Sequence, residues 1–131
     1  MPRRKRIKVL LCNKHNLFRE GIKALFPKSA PIAIVGEAAT ASQALNLLER
    51  LQPDVILLDA TTSDLGGSEA TRRIKAINPH VEILILSLYD DELLISGCMD
   101  AGATGSISKE DDPLNLERAI NMAYRRAQHA A

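Results

Sequence analysis

Two kinds of apolar pattern alternate along the chain. Short uninterrupted runs of Val, Ile and Leu are followed by segments whose apolar positions recur every three or four residues. Uninterrupted runs suit the middle of a parallel sheet that is covered on both faces, and the second pattern is typical of helices with one buried side. The runs predict strands at Ile7–Cys12, Ile32–Ala38, Val55–Leu58 leading into Asp59, Ile83–Leu86 and Gly105–Ser108.

Capping and stop residues predict a helix after each strand. The first helix is expected to carry an inward stripe of Leu17, Ile22, Leu25 and Phe26 and to end at Pro27. Gly102 suits the residue just beyond the fourth helix, where a left-handed backbone is common. The predicted N-terminal residues are Asn16, then Thr40 with Gln43 as a capping box, Ser68, Asp90 or Asp91, and finally Asp112 with Pro113.

Five strands alternating with five helices predict an α/β fold. Right-handed crossovers then give a doubly wound parallel sheet with helices on both faces, and the flavodoxin-like (βα)5 order 2-1-3-4-5 is the natural candidate. In that order the first and third strands meet at the switch point, where ligands collect. Asn13 and Lys14 should therefore share a pocket with Asp59, and Ser87 and Lys109 should flank it from the last two strands.

Asp59 is the first candidate for chemistry, because it ends a central strand at the edge where α/β proteins bind ligands. An aspartate in this place can also do no more than cap the following turn. Position alone gives the two interpretations equal standing.

Composition predicts one ordinary globular domain. The chain has 131 residues, of which 46% are hydrophobic and 25% charged. We expect a basic tail at residues 1–6, a domain over 7–127, and a C-terminal tail or the start of a linker at 128–131. A net charge of +1, with two Phe, two Tyr and no Trp, offers neither a basic surface nor a stacking platform for nucleic acid.

The two cysteines, Cys12 and Cys98, fall in predicted buried elements and lack the spacing of metal ligands. We therefore expect a reduced, cytoplasmic protein without a zinc site. No apolar run approaches the ~20 residues that span a bilayer, so no membrane contact is expected.

Several short stretches, in order and correctly spaced, resemble the receiver domains of bacterial two-component response regulators of the NarL/FixJ/LuxR type. The resemblance covers Ile7 to about Arg126. It rests on Ile7–Leu11, His15, Arg19–Gly21, Val35–Ala38, Pro53–Val55, Glu69–Ile74, Gly102–Gly105 and Lys109.

The resemblance implies a regulatory protein of phosphorelay signalling and not an enzyme. Asp59 would be the phosphoacceptor, and Ser87 and Lys109 would contact the phosphoryl group. The implied partners are a second copy of the chain, a histidine kinase, and DNA through a downstream domain that this chain does not contain.

Three positions depart from the family pattern. Asn13 and Lys14 stand where the family usually has two acidic residues that hold Mg²⁺, and Ser106 stands where an aromatic switch residue is expected. The loop after Asp59 also lacks the usual Met-Pro pair. Mg²⁺ prefers oxygen ligands, and two lysines beside one carboxylate repel a dication, so we expect weak or absent Mg²⁺ binding. We expect Lys14 to bond Asp59 and to lower the pKa of that carboxyl.

The leading hypothesis is therefore an atypical receiver domain that works without ordinary Mg²⁺-dependent phosphorylation, as the N-terminal part of a DNA-binding transcription regulator. The alternatives are a phosphorylatable receiver that uses Lys14 in place of the metal, and a stand-alone receiver. A small enzyme or cofactor binder on the same fold is disfavoured, because no G-x-G-x-x-G, P-loop or G-x-S-x-G motif occurs.

Overall fold

The sheet has the predicted topology. A computed structural model describes residues 6–27, 30–62, 64–87 and 91–129. Its elements are β1 (Ile7–Cys12), α1 (Asn16–Leu25), β2 (Ile32–Ala38), α2 (Ala41–Leu51), β3 (Val55–Asp59), α3 (Gly67–Ile77), β4 (Glu82–Ser87), α4 (Glu92–Asp100), β5 (Gly105–Ser108) and α5 (Pro113–His129). All neighbouring strands are parallel, in the order β2-β1-β3-β4-β5. The prediction of a flavodoxin-like sheet is confirmed.

Two apolar clusters cover the two faces of the sheet, which explains why its strands show no alternation of apolar and polar residues. Leu10, Ile56 and Leu58 point into a cluster with α2, α3 and α4. Their neighbours along the strands, such as Val9 and Leu57, point into the other cluster with α1 and α5. Every residue of β3, including Asp59, is buried. A polar side chain at the end of this strand therefore has to find its partners within the protein.

The predicted start of α1 is wrong. The N-cap is His15, and Asn16 is the first helical residue. The side chain of Asn13 causes the difference, because its Oδ1 accepts a hydrogen bond from the backbone N–H of His15 at 2.7 Å and turns the chain early.

The predicted stripe of α1 is also only partly correct. Ile22 is buried, but Leu17 is 86% exposed and Leu25 is 40% exposed. The residues that pack on the sheet are Phe18, Ile22 and Phe26, which are spaced four apart on one side of the helix.

The N-terminal residues of the other helices agree with the predictions except at α3. Helix α3 begins at Gly67 with Gly66 as its N-cap, and not at a cap on Ser68. A Cβ on Gly67 would lie 2.7 Å from the carbonyl oxygen of Ala60 and 2.8 Å from Sγ of Cys98, so this turn presses against the end of β3. Three other predicted N-caps are confirmed: Thr40 Oγ1 accepts from Gln43 N, Asp91 Oδ1 from Leu94 N, and Asp112 Oδ1 from Leu114 N. The capping box at Thr40 is only half formed, because Gln43 Oε1 accepts from the N–H of Ala39 and not from that of Thr40. Gly102 has the expected positive φ of 119°.

The predicted ends of the chain lie largely beyond the described residues. Of the basic tail, only Arg6 is described, and its Nε donates to the carbonyl oxygen of Ala30 at 2.8 Å. Arg3 to Lys5, the alternative cap Asp90, and residues 130–131 fall outside the described part. Helix α5 continues to His129, past the predicted boundary at 127. None of the helices in the described ranges is both long and apolar enough to cross a membrane.

Candidate functional site

The C-terminal ends of four strands bring the candidate residues together. Asn13 follows β1, Asp59 ends β3, Ser87 ends β4 and Lys109 follows β5. Asp59 is only 2% exposed, and Asn13 is 1% exposed. A cavity of about 260 Å³ opens beside them and is lined by Lys14, His15, Asp59, Ala60, Thr61, Ser87, Asp91, Leu94 and Lys109.

The carboxylate of Asp59 accepts four hydrogen bonds. Its Oδ1 accepts from the backbone N–H and from the hydroxyl of Thr61, each at 2.9 Å. Its Oδ2 accepts from Nδ2 of Asn13 and from Nζ of Lys109, each at 3.0 Å. A carboxylate offers roughly four lone-pair positions, so each of them has a protein donor.

The two oxygens of Asp59 have different partners. One oxygen caps the turn that follows β3, as expected for an ordinary turn-forming aspartate. The other oxygen faces the residues of β1 and β5. Asp59 thus forms a local turn with Oδ1 and an inter-strand contact with Oδ2.

The pKa of Asp59 lies below its ordinary value. Burial by itself raises the pKa of this carboxyl, but the backbone N–H of Thr61 and the ammonium of Lys109 outweigh it by hydrogen bonding to the charged form. The pKa of Asp59 is therefore lowered, as expected, but Thr61 and Lys109 lower it and Lys14 does not.

Lys14 does not make the contact that the sequence predicts. Its side chain is exposed and lines the cavity, but the ammonium that pairs with Asp59 is that of Lys109. The physical reason is the turn between β1 and α1, in which the buried side chain of Asn13 faces Asp59 and Lys14, the next residue, is exposed. Asn13, and not Lys14, is the β1–α1 residue that touches Asp59.

The backbone of Asn13 is fixed from several sides. Its N–H donates to the carbonyl oxygen of Ala38 at 3.0 Å, and its own carbonyl oxygen accepts from Nη1 of Arg19. Nε of Arg19 also donates to Oε1 of Glu37 at 3.0 Å. Because Asn13 Oδ1 is already bound to His15 N, the amide can only turn its N–H group toward Asp59.

The residues present do not fit a magnesium site. Mg²⁺ requires near-octahedral oxygen ligands, and the group that Asn13 presents to Asp59 is an N–H donor. Within residues 6–27, 30–62, 64–87 and 91–129 there is no cluster of three or more His, Cys, Asp or Glu side chains that could hold a metal. The charges in the cavity differ from those expected from the sequence. Asp91 also lines the cavity, so its two lysines are matched by two carboxylates and not by Asp59 alone.

Ser87 and Lys109 occupy neighbouring positions on the far side of Asp59. Ser87 is 6% exposed, and its carbonyl oxygen accepts the backbone N–H of Lys109 at 2.7 Å. Nζ of Lys109 lies 5.2 Å from the ring centroid of Phe18, within range of a cation–π contact. This contact was not predicted from the sequence, because Phe18 is not part of the apolar stripe predicted for the first helix.

The loop after Asp59 is held by Asp64 and not by a Met-Pro pair. Oδ1 of Asp64 accepts from the backbone N–H of Ala41 at 3.0 Å, and Oδ2 accepts from the N–H and hydroxyl of Ser42 at 3.0 and 2.6 Å. The hydroxyl of Ser42, followed by these backbone N–H groups, lowers the pKa of Asp64 to about 2. The carboxylate thus ties the β3–α3 loop to the free amides at the start of α2.

Ser106 lies on the outer strand, away from Asp59. Its side chain is exposed and lines a groove of about 300 Å³ between β5 and α5, together with Met122 and Arg126. The site predicted from the sequence contains Asn13, Lys14, Asp59, Ser87 and Lys109, and these residues do lie together. Thr61, Asp64 and Asp91 were not predicted to take part. A polar residue shortly after a strand-ending aspartate is a turn signal that could have identified Thr61.

Comparisons with known proteins agree with this architecture. Residues 9–121 match the family described as response regulator receiver domain. The chain is 33% identical over 117 residues to the transcriptional regulatory protein DegU of Brevibacillus brevis, covering 89% of this chain and 50% of DegU. It is 34% identical over 125 residues to the response regulator UvrY of Escherichia coli strain K12, covering 95% of this chain and 57% of UvrY.

A solved structure gives the same result in three dimensions. The crystal structure of a LuxR-family two-component response regulator from Aurantimonas sp. SI85-9A1 superposes with a TM-score of 0.86 at 31% identity, covering 92% of this chain and 86% of that chain. The chain spans about half the length of the curated relatives it matches. It belongs to the response regulator receiver domain family, with homologues among response regulators of the LuxR/NarL type that act in phosphorelay signalling.

Proposed function

We propose that this receiver domain is a regulatory module in which protein side chains hold Asp59 in the way that a metal ion would, so that ordinary Mg²⁺-dependent phosphorylation is weak or absent. The observation that carries the proposal is the set of four donors on the Asp59 carboxylate. An incoming phosphoryl group needs one of these oxygens, so at least one existing hydrogen bond would have to break.

A variant that restores the acidic pair tests this proposal. Replacing Asn13→Asp together with Lys14→Asp supplies oxygen ligands beside Asp59 and removes one lysine. Without metal the double variant should melt below the parent, because its carboxylates repel each other. Millimolar MgCl₂ should raise its melting temperature by mass action and leave that of the parent unchanged.

The single variant Lys14→Asp is the matched control. It changes the charge of the cavity but keeps the Asn13 amide on Asp59, so MgCl₂ should raise its melting temperature less than that of the double variant. A rise in the melting temperature of the parent with MgCl₂, equal to that of the double variant, would contradict the proposal.

A second candidate function is phosphorylation without a metal. Lys14, Ser87 and Lys109 all line the cavity beside Asp59, and ammonium groups can neutralise an acyl phosphate, although less strongly than a dication. Acetyl phosphate in the presence of EDTA distinguishes the two candidates, with Asp59→Asn as the blank. Labelling of the parent on Asp59 under these conditions, lost in Lys14→Ala, would favour the second candidate over the first.

We further propose that the module acts by association with a second copy and within a longer DNA-binding protein. Response regulators commonly dimerise, and they contact histidine kinases and, through a further domain, DNA. On this chain Leu17 of α1 is 86% exposed and Leu114 of α5 is 57% exposed, and both helices line one small cavity.

Light scattering over a concentration series should show a dimer that Leu17→Glu weakens and Leu93→Glu, on α4, leaves intact. A strict monomer at high micromolar concentration would refute homodimerisation.

A further inference from the structure

We infer that helix α1 controls the state of Asp59, because two adjacent residues of this helix, Phe18 and Arg19, brace the two side chains that donate to Asp59 Oδ2. The inference rests on these contacts and not on the proposed absence of Mg²⁺. It holds whether or not Asp59 accepts a phosphoryl group.

The first brace is the contact between Phe18 and Lys109. Nζ of Lys109 lies 3.0 Å from Asp59 Oδ2 on one side and 5.2 Å from the Phe18 ring centroid on the other. The side chain of Lys109 is only 13% exposed, so few water molecules can replace either contact. The ammonium is held between a carboxylate and an aromatic ring, each of which favours a cation.

The second brace runs from Arg19 to Asn13. Nη1 of Arg19 donates to the carbonyl oxygen of Asn13, whose side chain in turn donates to Asp59 Oδ2 at 3.0 Å. Arg19 is fixed by Glu37 Oε1 at 3.0 Å, and Oε2 of Glu37 accepts from Nζ of Lys23 at 2.7 Å. Lys23 also lies on α1, so this helix and β2 together hold the guanidinium in place.

Both braces move with the same rigid element. Phe18 and Arg19 are consecutive residues of α1, so a shift of this helix changes both contacts on Oδ2 at once. A cavity of about 100 Å³ between Phe18, Lys109, Ile107 and Leu116 gives the ring and the lysine stem room to move. Among the residues that the structure describes, Thr61 is the donor to Oδ1, and it lies outside α1.

This coupling is reciprocal. A partner that binds the exposed side of α1 at Leu17 and shifts the helix must alter the donors on Asp59, and loss of charge on Asp59 must alter α1 by the same free energy. The path runs from Asp59 through Lys109 and Asn13 to α1 and does not involve the exposed Ser106, which has no ring to report a change at the site.

Phe18→Leu tests the first brace, with Phe26→Leu as a matched control. The two phenylalanines are the only ones in the chain, both lie along α1 or at its end, and both pack against the same cluster. We measure the rate of reductive methylation of Lys109 by mass spectrometry, relative to Lys75 in the same sample. Lys75 is a suitable reference because its Nζ is also bound, to the carbonyl oxygen of Val81 at 2.6 Å.

The Lys109:Lys75 ratio should rise about threefold or more in Phe18→Leu, given the strength of cation–π contacts, and stay at the parental value in Phe26→Leu and Phe18→Tyr. General loosening of the fold would raise the labelling of both lysines and leave the ratio unchanged. An unchanged ratio in Phe18→Leu, or an equal rise in Phe26→Leu, would overturn the first brace.

The reverse direction is tested with Asp59→Asn, which removes the charge that Lys109 faces. The NMR signals of the Phe18 ring should shift and the backbone amides of α1 should exchange faster with D₂O, while those of α3 should not. Arg19→Met should make the side-chain NH₂ of Asn13 exchange faster, and the exposed Arg72→Met should not. If α1 and α3 respond equally to Asp59→Asn, the proposed coupling is wrong.

Discussion

Asp59 and Asp64 lie five positions apart on either side of the same loop, and each accepts four hydrogen bonds. The donors to Asp64 are the backbone N–H groups of Ala41, Ser42 and Leu65 and the hydroxyl of Ser42. The donors to Asp59 are largely side chains, from Asn13, Thr61 and Lys109. Backbone donors cannot leave unless the helix moves, whereas side-chain donors leave by rotation. Asp64 is therefore a fixed structural contact, whereas the side-chain contacts of Asp59 can be released by rotation of the donor side chains.

The largest expected effect comes from removing the cation that Asp59 faces. Lys109→Met should lower the free energy of unfolding at pH 7 by about 3 kcal/mol or more, because it leaves a buried carboxylate without its charged partner. Urea denaturation followed by circular dichroism measures the change.

Two controls sharpen this result. Lys14→Met removes a lysine from the same cavity that does not pair with Asp59, and it should change stability by less than about 0.5 kcal/mol. Adding Asp59→Asn to Lys109→Met should recover much of the loss, since no unpaired charge remains. If Lys14→Met and Lys109→Met lower the free energy of unfolding equally, the pairing of Asp59 with Lys109 is not the important contact.

A smaller effect is expected at the fixed contact. Asp64→Ala should cost about 1 to 2 kcal/mol, because two amides at the start of α2 and the Ser42 hydroxyl lose their acceptor. The amides of α2 should exchange faster with D₂O, and those of α5 should not. Asp64→Ser keeps a short acceptor and should cost less than alanine. An Asp64→Ala variant as stable as the parent would contradict the role given to Asp64.

The smallest effect is the dependence of stability on pH that the two aspartates produce. The pKa of Asp64 is lowered to about 2 in the folded protein, so its contribution to stability is present above the ordinary pKa near 4 and is lost as the pH falls toward 2. The Asp64→Asn variant should therefore lose less stability than the parent between pH 4 and pH 2.

Asp59 should behave in the same sense, because its pKa is also lowered. Solvent weakens the effect at the exposed Asp64 and less so at the buried Asp59. Urea denaturation at several pH values measures both slopes. A parent whose stability rises on acidification below pH 4 would contradict both assignments.

The strands were predictable from the sequence because burial on two faces leaves an unbroken apolar run. The order of the strands followed from the alternation with helices, and it placed Asn13, Asp59, Ser87 and Lys109 at one edge. These statements depend only on the backbone path, which the apolar pattern largely determines.

The contacts within the site were less predictable, because they depend on which polar group is nearest after the turns have formed. Asn13 forms a turn with His15 and donates to Asp59 Oδ2, Lys109 supplies the cation, and Lys14 is exposed. Gly67 permits α3 to start one residue before Ser68, because nothing larger fits between Ala60 and Cys98. Both differences arise from side-chain contacts over a few ångströms, which an apolar pattern does not record.

The separation of the Asp59 contacts along the chain has a consequence for folding during synthesis. The bond to Asn13 joins residues 46 positions apart, and the bond to Lys109 joins residues 50 positions apart in the opposite direction. When β1, β2 and β3 have left the ribosome, the cation that compensates Asp59 has not yet been made. A sheet that closed at that stage would bury an uncompensated charge, so docking of β5 and α5 is the step that makes the central strand stable.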